Sequence, residues 1–554
     1  MSSFLFLGTG QASARFGYKV STTYSLLRDF KSGKIDLFPI VTRGPAQRRT
    51  SQDVQDKIIK YRKCNLSTTE IETKLKEHNI QISARTIERI LKEAGYEKLK
   101  RRTNSERGVG KKRQSIPKRA ERLNFEELKP FSFDCPSVGV FFFIPYIIES
   151  RVLDIVQKCK LPESQDIPSL QASLSMLILK LIGCKRLSHI DKYDQEPGLG
   201  VFAGLNVLPK PTYISSYSCR CSESELLEFQ SELITSLKKQ FPQFYCSECI
   251  NLDFHSIPHF GDDSEMEKVW CGARNKTMKG ANTVFVQDSQ SNAILYTRGD
   301  ILRSEGNSEI LKFIDYWERI KGKVSETLVF DCRFTTYQIL DQIATKNINF
   351  ITLRKRSTKL VNETMDIPEK EWQKVNLSIP KRKYNHVSVH ETVVNLSNCK
   401  NTFRQIIIKD HGRSKPTFII TNNNDLELKE IIKVYAKRWR IESKLSELVS
   451  FFNLNALSSP IMIRIHFDIL WTLVADTLYN ILSKDLRRFE KNIAPTIFRK
   501  FIDMPGKVVY DGTKFMIKIR KRSHTPVLKE VEKLSQPFSV PWLSGKTMEI
   551  IWQA

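Results

Sequence analysis

No stretch of this chain is apolar for long enough to span a bilayer. The longest run, VGVFFFIPYII (138–148), falls well short of the roughly 20 residues that a spanning helix needs, and it contains a proline. The start, MSSFLFLG, has no basic segment ahead of its apolar residues and does not read as a secretory leader. Lipidation signals are absent. Phosphate-cradling loops are missing as well. GVGKK lacks the earlier glycine and the following Ser or Thr of a P-loop, and GTGQAS (8–13) lacks the third glycine of a dinucleotide fingerprint. The eleven cysteines are odd in number and scattered, which suits a reducing cytoplasm better than a disulfide framework. Acid is scarce beside base: 61 Asp and Glu stand against 88 Lys and Arg, for a net charge of +27. These absences point away from a membrane or secreted protein and leave a soluble cytoplasmic chain. Its charge calls for a polyanionic partner, nucleic acid first and an anionic membrane surface second.

At 554 residues, 40% of them hydrophobic, the chain has material for about three or four domains with proper cores. The first 96 residues carry two helix-turn-helix patterns. In GQASARFGYKVSTTYSLLRDF (10–30) a short helix ends at Gly17, and Ser21 is placed to cap a second helix bearing Tyr24, Leu27 and Phe30. In NLSTTEIETKLKEHNIQISARTIERILKEAGY (65–96), Ser67 and Glu70 form a capping box, and Ile71 and Leu75 face inward. Ser83 then caps a helix with Ile87, Ile90 and Leu91 at helical spacing, stopping at Gly95. Such a pair can lay its second helix in a major groove, where Arg85 and Arg89, and Lys19 ahead of the first pair's second helix, would reach DNA. Residues 97–122 follow as a strip with eleven Lys and Arg against three Glu, suited to phosphates or simply to water, within a linker drawn to 135.

From 136 to 245 the pattern is mainly helical, with an amphipathic stretch at SLQASLSMLILKLIG (169–183) and a loop at EPGLGVFAGLNVLPKPT (196–212). The periodicity then changes. CINLDFHSI (249–257) is a strand, and NTVFVQDSQSNAILYTR (282–298) is a strand, a turn and a strand. SEILKFIDYWERIKG (308–322) is a helix, ETLVFDC (326–332) a buried strand, TYQILDQIATKN (336–347) a helix and INFITLRKR (348–356) a strand. That order is the one found in an RNase H-like mixed sheet, giving a multidomain α/β chain with such a sheet at 246–475. Residues 357–416 form a β-rich insertion closed by the strand TFIIT (417–421). A long helix from about Leu426 to Phe452 follows, and a helical and strand-prone tail occupies 476–554.

Three acids occupy telling places: Asp253 in the first strand, Asp331 at the end of LVFDC, and Glu442 on the late helix. The first and fourth strands of such a sheet are neighbours, so the two aspartates converge, and the helix packing across the sheet carries Glu442 to them. Three gathered carboxylates repel one another unless cations intervene. Hard oxygen donors suit Mg²⁺ or Mn²⁺, and two such ions can serve both ends of an in-line phosphodiester displacement. Around Glu442, in YAKRWRIESKL (435–445), stand Lys437, Arg438, Arg440 and Lys444. Each acid also has a plain reading. Asp253 can end a strand, Asp331 can cap a turn, and Arg438 with Glu442 can be a surface ion pair, although Arg before Glu is the less favourable order. Asp288, in QDSQSN, reads as a turn residue. His255 and His259 are structural or phosphate-facing, and Arg333 and Arg354 are solvated or DNA-facing. Cys219, Cys221, Cys246 and Cys249 make a CxC and a CxxC, read as free or core thiols before zinc ligands.

With these residues in place, the chain resembles DDE transposases of the bacterial insertion-sequence kind that carry a strand-rich insertion before the glutamate. Those enzymes have a Y-x2-R-x3-E-x6-K pattern. Tyr435, Arg438 and Glu442 match it, while Val449 stands where the lysine would be. The resemblance covers about 250 to 475 and implies an RNase H-like core with Asp253, Asp331 and Glu442 as catalytic metal ligands. It implies DNA contacts by Tyr435 and Arg438, with Lys444 on another side of the helix. It further implies an enzyme that binds the inverted repeats ending its element, cuts them with two Mg²⁺ or Mn²⁺ and joins the 3′ ends to target DNA. A homodimer on double-stranded DNA, near the nucleoid of a bacterial-type cell, completes the expectation. A derived regulator that binds without cutting, and a nuclease without strand transfer, are the alternatives.

Overall fold

The computed structural model describes residues 8–35, 50–99, 119–193, 195–260, 266–299, 301–377, 386–456 and 461–553. Most of the basic strip read at 97–122 lies outside the described residues. The chain forms two compact units, residues 1–115 and 116–554.

In the first unit, α1 (Thr9–Phe16) and α2 (Val20–Lys31) meet through a hydrogen bond from Ser13 Oγ to Thr23 Oγ1 of 2.7 Å. Gly17, with φ at 70°, ends α1 as expected. Ser21 does not cap α2; Lys19 takes that place without a side-chain bond, and the helix begins one residue before the serine. Tyr24 is 61% exposed, because α1 supplies only Ala12 and Ser13 to the contact among the described residues. The second group is better built. α3 (Gln52–Lys63), α4 (Thr68–Glu77) and α5 (Ala84–Glu93) close around Ile58, Ile71, Leu75, Ile87, Ile90 and Leu91. The Ser67–Glu70 capping box forms in full, and Ser83 Oγ accepts the Thr86 amide.

The second unit has two sheets. The smaller begins with β1 (Phe131–Cys135). The larger contains β2 (Cys249–Pro258), β3 (Lys268–Cys271), β4 (Lys276–Asp288), β5 (Ile294–Arg298), β6 (Thr327–Val329) and β7 (Phe350–Leu353). It continues with β8 (Gln373–Asn376), β9 (His386–Asn395), β10 (Thr402–Lys409) and β11 (Thr417–Thr421). β2, β4 and β5 are antiparallel, whereas β2, β6 and β7 are parallel, so the centre runs β5-β4-β2-β6-β7. This is the RNase H-like order expected from the sequence. The parallel strands are buried and apolar, TLV and FITL, as strands covered on both faces must be.

The insertion does not form a sheet of its own. β11 pairs antiparallel with the outer edge of β7, and β10, β9 and β8 extend the same sheet. Edge coverage is the physical gain, since β7 would otherwise present unpaired backbone. The tail supplies β12 (Gly506–Tyr510), β13 (Phe515–Arg520), β14 (Phe538–Val540) and β15 (Lys546–Gln553), which join β1 in the order β1-β12-β13-β15-β14.

One apolar core runs from Ala120 to Met548. At its centre is the helix Met462–Asp485, with Trp471 and Tyr479 fully buried. Two readings change here. Ser169–Leu181 is covered on every side rather than amphipathic, and Lys180 is buried against Asp468 at 2.8 Å. The segment read as a loop at 196–212 contains a buried helix, Pro197–Ala203, opened by its proline and ended by Gly204 at φ 75°.

Replacing Ser67 with Ala should cost the first unit about 1 kcal/mol through its lost cap. Faster amide exchange confined to α3–α5 is the expected signature, and unchanged exchange would remove the capping box as a source of stability.

Candidate active site

The register of β2 against β6 sets the first two acids. Asn251 pairs with Val329 at the end of that ladder, so Asp253 and Asp331 both stand two residues further on, level with one another. Neighbouring strands lie about 4.8 Å apart. Asp253 is held on its other side by β4, opposite Phe285. Beyond the ladder, the Phe254 and Phe334 rings stack with centroids 3.9 Å apart and fasten the end of β2 to the turn that follows Asp331. Asp331 occupies the position before the short turn Cys332–Phe334, yet its carboxylate makes no capping bond there.

Glu442 comes from a helix that the sequence reads as continuous from 426 to 452. Two helices, Leu428–Lys437 and Trp439–Ser450, instead meet at Arg438. Ile441, Leu445 and Leu448 bury one face of the second helix, leaving the Glu442 side chain 57% exposed. Arg438 bridges the acids. Nη2 donates to Glu442 Oε1 at 2.6 Å, and Nη1 lies 3.0 Å from Asp253 Oδ2 without an aligned hydrogen bond. Burial raises the Asp253 carboxyl above its ordinary range; Arg438 opposes the rise, and Glu442 and Asp331 add to it. Burial works against the Arg438 charge, but Asp253, Tyr435, Glu442 and Asp331 outweigh it and push its pKa up.

The cations around Glu442 are mostly turned inward. Arg440 Nη1 donates to the Ser289 carbonyl at 2.6 Å, clamping the helix to the β4–β5 turn. Lys444 is buried, with Nζ 2.6 Å from Asp476 Oδ1 and 3.1 Å from Glu447 Oε2. It therefore cannot serve DNA as the sequence suggested. Its place two residues after Glu442 puts it on the side of the helix that meets Met462–Asp485. Of the four cations, Lys437 alone is exposed.

Residues 246–477 match the family described as "Transposase DDE domain". The chain carries a DDE transposase domain. No curated protein sequence matches the chain. Among solved structures, it is similar to a piggyBac transposase synaptic complex with hairpin DNA, at 8% identity and a TM-score of 0.38, over 67% of this chain and 83% of that one. It is also similar to a Mos1 transposase paired-end complex with the left transposon end, at 10% identity and a TM-score of 0.14, over 60% and 67%. A Mos1 mariner paired-end complex with Mn has 11% identity and a TM-score of 0.13, over 61% and 70%.

Within the DDE domain, a cavity of about 400 Å³ adjoins the acids, lined by Asp331, Tyr435, Trp439 and Glu442 on one side and by His411 and Arg413 on the other. The last two belong to the insertion and carry no motif; only the pairing of β11 with β7 brings them here. Tyr435 is largely buried, which pushes its hydroxyl pKa up. Arg354 is half-buried and donates to Gln405 Oε1 at 2.6 Å, so it ties β7 to β10. Arg333 is exposed and lies over the Phe254 ring at 5.7 Å. His255 Nε2 bonds Asn455 Oδ1 at 2.7 Å, and burial lowers its pKa. Asp288 is buried and accepts the Ser247, Gln290 and Ser291 amides, which makes it the turn residue expected from QDSQSN. Arg85, Arg89 and Lys19 are exposed in the first unit, Arg89 lying 4.0 Å from Glu93.

DDE transposases use divalent metal ions. Among the described residues no three His, Cys, Asp or Glu side chains, the four-cysteine set included, are gathered closely enough to hold one. The donor chemistry of Asp253, Asp331 and Glu442 nevertheless fits a hard cation, and the Arg438 guanidinium supplies the positive charge between two of them.

The Lys444 cluster yields two expectations. Lys444→Met leaves Glu447 and Asp476 buried without their cation and should lower the unfolding free energy by about 3–5 kcal/mol in urea titrations. Burial pushes Asp476 up to about 6. Because that value exceeds an ordinary aspartate's, the folded chain holds the proton more tightly, and this group's stabilisation falls as pH climbs toward about 6. Asp476→Asn should flatten the stability profile between about pH 4 and 6; an unchanged profile would place the titration elsewhere.

Proposed function

We propose that the chain is an active transposase, of the insertion-sequence kind its Y-x2-R-x3-E pattern suggests, which cuts DNA at the ends of its element and joins them to a target. The observation that carries this reading is the level placement of Asp253 and Asp331 on neighbouring strands, with Arg438 linking Asp253 to Glu442, inside a DDE transposase domain.

Asp253, Asp331 and Glu442 would hold two Mg²⁺ or Mn²⁺ ions. Such ions, when bound, activate a water or a 3′-hydroxyl and neutralise charge on the phosphate under attack. The chain's own residues do the remainder. Arg438 offsets the charge of Asp253 and of the more exposed Glu442, and its Nη1, which lacks an aligned acceptor, offers a donor to a phosphate oxygen. Phe254 stacked on Phe334 keeps the aspartates in register while DNA enters. Lys437 and Arg333 present exposed charge to the backbone. The Lys444 cluster and the Arg440 clamp fix the rotation of the Glu442 helix.

The N-terminal unit would recognise the terminal inverted repeats, with α5 in the major groove and Arg85 and Arg89 on the base edges or phosphates. Lys19 would contact the backbone. Two ends must be held together for joining, so the working form is a homodimer on double-stranded DNA. The chain works in the cytoplasm, at the nucleoid of a bacterial-type cell.

Asp331→Ala should abolish Mg²⁺-dependent cleavage of end-containing DNA while leaving its binding intact. Normal cutting by that variant would remove the acid triad from the chemistry. Binding without cutting by the unaltered chain would make it a regulator, and cutting without joined products would make it a nuclease.

A further inference from the structure

The small sheet lies outside the matched DDE domain, which ends at 477, and the proposed chemistry has no use for it. Its inner face packs into the main core through Phe131, Tyr510, Phe515, Ile517 and Met548. Side chains alternate across a strand, so the residues between these point the other way. On that outer face stand Lys507 of β12, Lys518 and Arg520 of β13 and Glu549 of β15, none of them buried. Val509, Met516 and Ile551 share the face and are half-buried.

Positive charge is concentrated here well beyond the chain's average. Residues 499–529 hold nine Lys and Arg against two Asp, whereas the whole chain has 88 basic residues against 61 acidic ones. β13 runs out through KIRKR (518–522), four cations in five positions. The acids of the sheet and of its β12–β13 turn are already engaged. Asp134 lies 3.9 Å from Lys507, and Glu549 lies 2.8 Å from Lys514. Asp511 accepts the Thr513 and Lys514 amides of its own turn. Asp503, exposed ahead of β12, is the other acid of the segment. Lys518, Arg520, Lys521 and Arg522 make no ion pair among the described residues. Lys500 adds to the same corner, its Nζ lying 3.1 Å from Nε2 of His524, two residues beyond Arg522. Burial and that neighbouring charge lower the His524 pKa, so the ring stays neutral. The corner is also held in place: the Lys521 amide donates to the Gln553 carbonyl at 2.9 Å, and the Arg522 amide to Thr525 Oγ1 at 2.8 Å.

We infer that this face docks the sugar-phosphate backbone of target DNA, with Lys518, Arg520, Lys521 and Arg522 on phosphates. The inference rests on the transposase reading of the Asp253 site, which makes a target duplex the second DNA that the chain must hold. Phosphate contacts carry no sequence information, which suits a target better than the inverted repeats left to the N-terminal unit. Lys518 and Arg520 are two positions apart on one face, an advance of about 6.8 Å along the strand. Two nucleotides advance by about the same 6.8 Å along one strand of a duplex. Guanidinium groups add a forked donor geometry that matches phosphate oxygens.

The test is fluorescence anisotropy of the full chain with a labelled duplex that lacks the element's ends, titrated from low to moderate salt. Replacing Arg520, Lys521 and Arg522 together with Ala should weaken binding about tenfold or more and reduce the steepness of log K against log salt by about 2 to 3. With end-containing DNA, Mg²⁺ and a target duplex, the same variant should give severalfold fewer joined products per cut end. Arg520→Lys combined with Arg522→Lys keeps the charge and should hold duplex affinity within about threefold of the parent. Unchanged affinity and salt dependence in the Ala variant would overturn the inference. Equal losses in the charge-keeping variant would overturn it as well, because the arginines would then serve the fold. So would a change in self-association, read by sedimentation, without weaker duplex binding, which would make the face a contact between copies. If the unaltered chain binds duplex through this face but never cuts end-containing DNA, the transposase reading fails and the duplex-binding face remains.

Discussion

The second unit is organised around an electrostatic difficulty: carboxylates must stand close together at the end of a buried sheet. Burial already raises Asp253 above its ordinary range, and its acidic neighbours raise it further. A single guanidinium makes the arrangement tenable. Arg438 reaches Asp253 with one nitrogen and Glu442 with the other, and it sits where two helices meet. Its backbone thereby sets the direction of the glutamate helix, while its side chain fixes where that helix ends up over the sheet. Local chain geometry and long-range charge pairing are settled by one residue.

The same helix shows how position and charge are divided among cations of similar appearance. Arg440 holds a turn carbonyl, Lys444 lies among buried acids, and Arg438 serves the site. Buried ions of this kind contribute little net stability compared with well-packed apolar residues. They do fix one geometry, because a helix rotated by a few tens of degrees would leave Lys444 or Asp476 buried and unpaired. Fixing Glu442 relative to Asp253 is what a three-acid site requires, and apolar contacts alone discriminate rotation poorly.

Much of this was legible in the sequence, for identifiable reasons. The central strands announce themselves through short apolar runs, TLVF and NFITL, and the acids through their places at strand ends. Ser67, Glu70 and Ser83 gave their helix starts correctly because capping is decided within four residues. Reading failed where the deciding partner is distant in the chain. Lys444 looks like a surface cation until Asp476 is brought to it. Ser21 looked like a cap because the residue type is right, but the helix starts ahead of it. The cavity residues His411 and Arg413 have no local signature at all, and the stack of Phe254 on Phe334 joins segments some eighty residues apart.

The joining of the insertion to the central sheet has a consequence for how this protein is made. β7 is synthesised well before β11, the strand that covers its outer edge. During that interval a growing chain would present an open, apolar strand edge, the kind that recruits other chains. Pairings between strands so far apart in sequence also slow folding, because a long loop must close before the contact is gained. The architecture that brings the insertion to the acids thus exposes the nascent chain to aggregation until Thr417–Thr421 has emerged.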